Sequence, residues 1–296
     1  MYNFFSPNET ELRAVIGETL QHEDNVKSVQ LIQTGWTNIT MDVEGEIKNY
    51  IFRFPRNLFF AQMMIKDCAF CQFLHDKVSI PIPDMKLKQN KNRPFSVHTK
   101  IKGVSLLSQM ENLSASEECA ILKDLSVFLS QLHAIPLNTL QDEIKESLSD
   151  FLDNLAIVHK GDYNFAYHTP LREMEKEPLN LAIVHGDFHP GNVLINDGRV
   201  SGIIDFAFAS ISDKHADLGR FFGRSNPLLA GALIESYQNQ TKTTCDLKKI
   251  HEVADVFKYV EYKYVQYMQA FHPEINIPLS VLQMAQEQQE QYMQTV

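Results

Sequence analysis

Residues 181–206 limit the folds open to this chain more than any other stretch. Two apolar runs, LAIV and VSGIID, stand on either side of a short segment rich in turn residues. The runs have the composition of buried strands, and Gly186, Pro190 and Gly191 predict a tight loop between them. A strand–loop–strand unit of this kind presents the side chains of its loop at the edge of a core.

Three side chains with oxygen atoms are spaced along this unit. Asn192 comes five residues after Asp187, and Asp205 follows thirteen residues later, after the second apolar run. Phosphoryl transfer needs a carboxylate that orients or deprotonates a hydroxyl, and oxygen ligands that hold Mg²⁺ on nucleotide phosphates. An Asp-x4-Asn loop followed by a strand-borne Asp is the arrangement of protein kinases, with His-Gly-Asp here in place of His-Arg-Asp.

Two other interpretations of the same loop stay open. His185, Asp187 and His189 alternate, and they could form a transition-metal cluster of a hydrolase or phosphoesterase. Such a cluster needs further ligands, for which His215 and Asp217 are the downstream candidates. The loop could also be a set of caps and turns without any chemistry.

A second stretch resembles the first without sharing its polar pattern. The letters NLAIVH begin both at residue 154 and at residue 180. The earlier copy is typical of a helix that ends near Gly161. We interpret the similarity as chance and not as an internal repeat.

Length and composition exclude several classes of protein. The 296 residues suffice for two lobes with a cleft between them, and the net charge of −10 disfavours nucleic acid as a partner. No run of about 18 apolar residues predicts a membrane helix, and the first residues do not form a signal peptide. Four cysteines give no disulfide framework, so a cytoplasmic location is expected.

The order of the predicted elements indicates an α+β chain. A helix is predicted over 7–22, three antiparallel strands over 26–55 and a second helix over 58–75. Two more strands are expected at 78–89 and 93–101.

After Gly103 the periodicity is mostly helical, apart from strand signals near 192–206, and an aromatic-rich helix is predicted over 256–271. Strands followed by helices predict a small sheet lobe and a larger helical lobe. We expect an N-lobe over 1–100 and a C-lobe over 101–296.

Four stretches of the sequence resemble one known family, in that family's order. They are YIFRFPR (50–56), PFSVHTKIKG (94–103), IVHGDFHPGNVL (183–194) and GIIDFAFASISD (202–213). With them the chain resembles the aminoglycoside phosphotransferases, kinase-like enzymes that phosphorylate hydroxyls of small molecules. The resemblance is nearest to the 2″-aminoglycoside phosphotransferases and covers about residues 26–220.

The resemblance implies a bilobal protein-kinase-like fold and Mg²⁺-dependent transfer of the γ-phosphate of ATP or GTP. Asp187 would be the catalytic base or orienting carboxylate, and Asn192 and Asp205 would bind Mg²⁺. His185 and Asp217 would brace the catalytic loop.

The resemblance also assigns the residues that bind the nucleotide. Arg53 stands at the position of the usual strand-three lysine, and Asp67 would be its acidic partner on the following helix. The other residues lie in a hairpin that covers the phosphates and in a hinge beside the base: Gly35, Thr37 and Asn38 in the hairpin, and His98, Thr99 and Ile101 in the hinge.

The acceptor is the least constrained part of the prediction. An aminoglycoside leads, while choline, homoserine, a macrolide or a similar hydroxylated molecule is the alternative. Arg220 and Arg224 stand where the 2″ enzymes present acidic residues, and a basic segment there disfavours a polycationic acceptor. A catalytically silent nucleotide-binding protein is the third hypothesis.

Overall fold

The computed structural model describes residues 8–32, 37–140, 144, 180–271, 273, 275 and 277–295. An antiparallel sheet of five strands, in the order β1-β2-β3-β5-β4, forms its first part. The strands are β1 (Val26–Ile32), β2 (Asn38–Gly45), β3 (Asn49–Pro55), β4 (Lys86–Asn90) and β5 (Arg93–Thr99).

Two smaller sheets follow. The short strand β6 (Val104–Ser105) pairs with β8 (Val193–Asn196), which pairs with β9 (Arg199–Ile203). The strand β7 (Leu181–Val184) pairs antiparallel with β10 (Ser210–Asp213).

Seven helices of the described residues surround these sheets. They are α1 (Glu9–Leu20), α2 (Leu58–Leu74), α3 (Ala115–His133), α4 (His215–Arg224), α5 (Pro227–Thr241), α6 (Leu247–Phe271) and α7 (Leu279–Thr295). None of the helices described is both long and apolar enough to cross a membrane.

The five-stranded sheet has two chemically different faces because successive strand residues point to opposite sides. One face is apolar and packs against α1, with Phe52, Phe54 and Phe95 stacked at its centre. Arg53 and its register partner Ser96 lie on the opposite face. That second face is therefore the polar side of the sheet, and it carries the first site residues.

The remaining apolar side chains form two further clusters. The largest packs α2 against α3, α4, α5 and the strands of the two small sheets. The other packs the beginning of α2 against α6 and α7. Helix α2 therefore contributes side chains to both helical clusters, and its position beside the sheet is fixed from both sides.

The α+β kinase-like fold is confirmed, and most predicted elements are present. The helix predicted over 7–22 is α1, whose cap is Asn8: its Oδ1 accepts a hydrogen bond of 3.1 Å from the Thr10 amide. The three antiparallel strands and the helix at 58–75 also form. The lobe boundary near residue 100 stays a prediction, and the helix expected near 151–161 lies outside the described residues.

Some element predictions were wrong. Only the end of the strand predicted over 78–89 forms, because Pro81 and Pro83 have no amide hydrogen to donate to a ladder. The Pro81 carbonyl accepts instead a 3.0 Å hydrogen bond from the Ile203 amide. Helix α6 begins at Leu247, well before the predicted 256, and β10 was not predicted.

Phe128 of α3 provides a test of the main core. Its ring is fully buried, stacks on Phe188 at 6.0 Å between centroids and lies 6.4 Å from Phe206. Phe128→Ala should lower the free energy of unfolding by about 3–5 kcal/mol, because it removes a large side chain from a packed interior. Urea unfolding followed by circular dichroism measures this loss.

Leu228→Ala is the matched control, since Leu228 is 86 % exposed on α5. Its effect should stay within about 0.5 kcal/mol. Equal losses in the two variants would contradict the packing described for α3.

Candidate active site

One buried carboxylate, that of Asp217, holds the loop after β7. Asp217, in the first turn of α4, accepts hydrogen bonds of 2.9 Å from the backbone amides of both His185 and Gly186. It also lies 3.1 Å from Nε2 of His133, whose Nδ1 is 2.9 Å from the Tyr237 hydroxyl. Because a carboxylate only accepts, His133 donates to Asp217 from Nε2. The loop is thus tied to α3, α4 and α5.

His185 ties the same loop to the strand that precedes Asp205. Its Nδ1 accepts a 3.2 Å hydrogen bond from the Asp187 amide, so its Nε2 donates to the Ile204 carbonyl, 3.1 Å away. The buried ring lies 4.5 Å from the ring of Phe206. His185 is therefore buried, with both ring nitrogens bonded to backbone groups of the loop and of the segment before Asp205.

Gly186 is required by the geometry of this loop. Its φ is +77°, which side chains disfavour, and a Cβ built on it would lie 2.0 Å from the carbonyl oxygen of Phe208. The close approach brings the loop against the segment that follows Asp205. No other residue type fits this position without moving one of the two segments.

The Asp187 carboxylate projects from this loop with each oxygen in a different environment. Oδ1 accepts from Nε and Nη2 of Arg220, at 2.9 and 2.7 Å. Oδ2 accepts from Nδ2 of Asn192 at 3.2 Å and lies 3.6 Å from Nε2 of His189. Burial raises the pKa of this carboxyl, but Arg220 and His189 together lower it by more than burial raises it. The pKa therefore lies well below its usual value. Asp187 is ionised at neutral pH.

Asn192 and Asp205 supply the oxygen atoms that a magnesium ion would need. Nδ2 of Asn192 also donates to the Asp187 carbonyl at 2.9 Å, so Oδ1 is the atom of this carboxamide that could hold a metal ion. Asp205 is a non-glycine residue at φ +68°, and its carboxylate is 43 % exposed, with Arg53 Nη2 at 3.9 Å. Strained backbone of this kind concentrates at functional sites.

The charged groups around Asp205 are consistent with a site for a cation. Loss of solvation raises the pKa of its carboxyl; Arg53 opposes the rise, and Asp67 and Asp187 add to it, so the pKa stays above the ordinary value. Carboxylates crowded in this way favour a bound positive ion. A carboxamide and a carboxylate are hard oxygen ligands, and they fit Mg²⁺.

Arg53 and Asp67 are brought together, as the sequence suggested. Nη1 of Arg53 donates to Oδ2 of Asp67 at 2.5 Å, and Asp67 is fully buried. Oδ1 of Asp67 accepts from the Phe206 amide at 3.0 Å. Asp67 therefore connects β3, α2 and the segment that carries Asp205, although its side chain is one methylene shorter than the usual glutamate.

Of the other residues expected to bind nucleotide, Asn38 and His98 lie on the same face of the sheet as Arg53. Thr99 pairs with Tyr50 and lies on the opposite face. Asn38 begins β2 and donates to the Thr37 hydroxyl at 3.1 Å. His98 is buried beside Ile51, its Nδ1 lies 3.0 Å from the Thr99 carbonyl, and burial lowers its pKa. Ile101 follows the end of β5 and is half-buried. Gly35 lies outside the described residues, and the roles of all these residues stay predictions.

Arg220 and Arg224, which form a basic segment in the sequence, are both paired with carboxylates in the structure. Both guanidinium groups pair with Glu261 of α6, Arg224 at 2.9 Å and Arg220 at a shorter distance. Arg220 also pairs with Asp187. The two arginines and the two carboxylates cancel in charge. The segment therefore presents no excess positive charge that would repel a cationic acceptor.

Sequence reasoning missed three residues that support the site. They come from helices that are distant in sequence: Glu261 is the partner of Arg220, His133 is the partner of Asp217, and Tyr237 in turn contacts His133. The only signal for Glu261 was a single acidic residue among the tyrosines of YVEYKY.

The hydrolase-type metal cluster is not supported by the structure. Across the described ranges, no three His, Cys, Asp or Glu side chains come close enough to hold a metal ion. Nδ1 of His189 accepts from the Gly191 amide at 3.0 Å, and His215 pairs with Asp213 at 2.5 Å. Both histidines therefore have structural partners of their own.

Comparisons with known proteins agree with this architecture. The structure resembles the APH(2″)-IIIa enzyme solved with GDP and kanamycin, with a TM-score of 0.73, 17 % identity, and coverage of 96 % of this chain and 99 % of that one. It also resembles a macrolide 2′-phosphotransferase from Brachybacterium faecium, with a TM-score of 0.64, 13 % identity, and coverage of 93 % and 96 %. These likenesses establish a kinase-like fold.

Sequence comparison gives the family. The sequence profile of the phosphotransferase enzyme family matches residues 28–246, and the chain belongs to that family. An aminoglycoside 3′-phosphotransferase of Escherichia coli is 25 % identical over 174 residues, which are 53 % of this chain and 64 % of that protein. The chain thus spans less than two thirds of the length of this curated relative.

Gly186→Ala tests the close approach of the two segments. We expect the free energy of unfolding to fall by about 1–3 kcal/mol or more, because the alanine is strained at positive φ and its Cβ meets a backbone carbonyl. Thermal or urea unfolding measures the change.

Gly231→Ala serves as its control, because Gly231 lies in α5 and a Cβ there would have open space. That variant should be neutral or more stable by up to about 1 kcal/mol. A Gly186 variant as stable as the Gly231 variant would refute the geometry of the loop.

Proposed function

We propose that this protein transfers the γ-phosphoryl group of a nucleoside triphosphate to a hydroxyl group of a small molecule, with Mg²⁺ as cofactor. The observation that carries the proposal is the grouping of an ionised Asp187 with Asn192 and Asp205, on loops braced to the Arg53–Asp67 pair. Membership of the phosphotransferase enzyme family supports it.

Asp187 is the residue that meets the acceptor. Its Oδ2 accepts one hydrogen bond from Asn192 and keeps further lone pairs for an acceptor hydroxyl. The low pKa suits a carboxylate that orients the hydroxyl and takes its proton late in the transfer. Since the transition state of phosphoryl transfer is loose, orientation and charge neutralisation supply most of the rate.

Asn192 and Asp205 would hold Mg²⁺ through Asn192 Oδ1 and the Asp205 carboxylate. When bound, the ion supplies positive charge beside the phosphates of the nucleotide. Arg53 would add a second positive charge from the sheet, held in place by Asp67. An arginine is suited to this role because its planar donors match phosphate oxygens.

The donor is ATP or GTP, bound between the polar face of the sheet and the loops. Relatives of the same fold have been solved with GDP and with ATP. His98, Thr99 and Ile101 would border the base, while Thr37 and Asn38, with Gly35, would cover the phosphates.

An aminoglycoside leads among the acceptors. Solved relatives of this fold include kanamycin and gentamicin complexes. Because Arg220 and Arg224 pair with Glu261, their positive charges are neutralised and do not disfavour a cationic drug. A macrolide is the alternative, since macrolide phosphotransferases share the fold. Choline, homoserine or another hydroxylated metabolite, and a silent nucleotide-binding protein, are the remaining hypotheses.

We expect the reaction to take place in the cytoplasm. The four cysteines are free in the structure, three of them buried, which suits a reducing compartment. The overall charge of −10 argues against nucleic acid as the phosphate acceptor.

Asp187→Asn should lower kcat by about 10²–10⁴-fold, because the amide cannot accept the proton of the hydroxyl. Nucleotide affinity should stay within about threefold, since Asp187 does not hold the nucleotide. A coupled assay of nucleoside diphosphate release, run with aminoglycosides, a macrolide, choline and homoserine, measures the first quantity. Titration of a fluorescent nucleotide measures the second.

Asp197→Asn is the control, as it removes the same charge from the exposed β8–β9 turn. It should leave turnover unchanged. Near-wild-type turnover in the Asp187 variant would contradict the assignment of Asp187 as the residue that orients the acceptor hydroxyl.

Asp205→Asn should raise the Mg²⁺ concentration needed for half-maximal transfer by about tenfold or more, because it removes a charged ligand. Chelation by EDTA should stop transfer in the wild type. The thermal shift that Mg²⁺ adds to the nucleotide-bound protein gives a readout without turnover. A variant with an unchanged Mg²⁺ requirement and thermal shift would exclude Asp205 as a metal ligand.

A further inference from the structure

Helix α4 contacts the catalytic loop at two points on one of its faces. Asp217 and Arg220 are three residues apart, a spacing that puts side chains on the same side of a helix. Asp217 binds the loop backbone, at the amides of His185 and Gly186. One turn later, Arg220 binds the side chain of the loop, at Asp187.

The contact between Arg220 and Asp187 distinguishes the two carboxylate oxygens. Nε and Nη2 of Arg220 both donate to Oδ1, at 2.9 and 2.7 Å. Oδ2 receives nothing from Arg220 and is left beside Asn192 Nδ2 and His189 Nε2. Charge balance alone does not require that both Arg220 donors bind the same oxygen of Asp187. The contact therefore also fixes which oxygen is left for other partners.

Arg220 is itself held on two further sides. Its Nη2 also contacts Oε1 of Glu261, and its guanidinium lies 5.2 Å from the centroid of the Phe257 ring. The side chain is 8 % exposed. Both partners belong to α6, which packs along α4, so the guanidinium has one position between helix and loop.

From this geometry we propose that Arg220 is a positioning residue of the reaction: it holds Oδ1 of Asp187 so that Oδ2 faces the acceptor hydroxyl, and Glu261 holds Arg220. The proposal rests on the proposed function, because it names what sets the orientation of the same carboxylate. It assigns Arg220 no contact with nucleotide or acceptor.

Arg224 provides the matched control. It is also a partly buried arginine of α4 and also pairs with Glu261, at 2.9 Å, but within the described residues its hydrogen bonds go to Met284 and Glu261 and not to Asp187. If pairing with Glu261 were all that mattered, substitutions of the two arginines would have equal effects. If holding Asp187 matters, only the Arg220 substitution slows the reaction.

Arg220→Gln and Arg220→Lys should separate positioning from charge. Arg220→Gln should lower kcat by about 10²-fold, the effect of a small misplacement of a reacting group, with the KM for nucleotide within about threefold. Arg220→Lys should recover only part of kcat, because an ammonium cannot present two coplanar donors to one oxygen. Arg224→Gln should stay within about threefold of the wild type. Equal losses in both Gln variants, or full recovery by lysine, would overturn the proposal.

A double variant covers the case in which Arg220→Gln does not fold. Removing Arg220 alone leaves two largely buried carboxylates, Asp187 and Glu261, with Arg224 as the one remaining guanidinium of the group, which is costly. Arg220→Met with Glu261→Gln leaves one carboxylate and one guanidinium and should restore folding, measured by thermal unfolding, while kcat stays low. Recovery of kcat together with folding would mean that Arg220 only neutralises Glu261.

A crystal structure of this double variant tests the proposal without any turnover. We expect the Asp187 carboxylate to rotate or to occupy more than one orientation. A carboxylate in the single wild-type orientation would contradict the proposal. If the wild type phosphorylates no acceptor, the proposed function fails, and the crystal structure still decides whether Arg220 orients Asp187.

Discussion

The site depends first on the buried carboxylate of Asp217. A charge without partners in the interior is costly, so Asp217 is stable there only because two loop amides and His133 donate to it. Those same bonds fix the backbone between β7 and Asp187. The requirement to satisfy one buried charge therefore sets the path of the catalytic loop, and the packing of α3, α4 and α5 maintains it.

A second constraint links this loop to the sheet. Phe188 of the loop and Phe206 after Asp205 both lie against Phe128 in the main core. The Phe206 amide donates to Asp67, which in turn holds Arg53. The catalytic loop, the segment that carries Asp205 and the polar face of the sheet are thus parts of one packed arrangement. A substitution in the main core around Phe128 is therefore expected to shift all three segments.

Sequence patterns predicted those parts of the site whose residues lie close together along the chain. The sequence of β3 alternates Phe52 and Phe54 with Arg53, which by itself puts Arg53 opposite the aromatic face. The spacing of Asp187, Asn192 and Asp205 around two apolar runs likewise indicates that they lie at the ends of buried strands. The pairing of Arg53 with Asp67 came from the family resemblance, because composition alone does not pair a strand with a helix. Pro81 and Pro83 are a local signal against the longer strand at 78–89, because neither has an amide hydrogen to donate to a ladder.

Contacts between distant segments could not be derived in the same way. His133 and Asp217 are 84 positions apart, and Arg220 and Glu261 are 41 apart, so only the fold brings each pair together. The sequence shows Arg220 and Arg224 only as a basic segment, whereas in the fold each arginine has a carboxylate partner. Net charge along a segment thus says little about the electrostatics of a site until the opposite side chains are known.

The central claim is that Asp187 serves the transfer of a phosphoryl group to a hydroxyl. The most direct test is ³¹P NMR of the purified protein with Mg²⁺, ATP or GTP, and each candidate acceptor in turn. The account predicts that one acceptor gives a new phosphate monoester resonance, matched by nucleoside diphosphate, and that this resonance is absent with Asp187→Asn. Unchanged nucleotide with every acceptor, or release of inorganic phosphate alone, would contradict it.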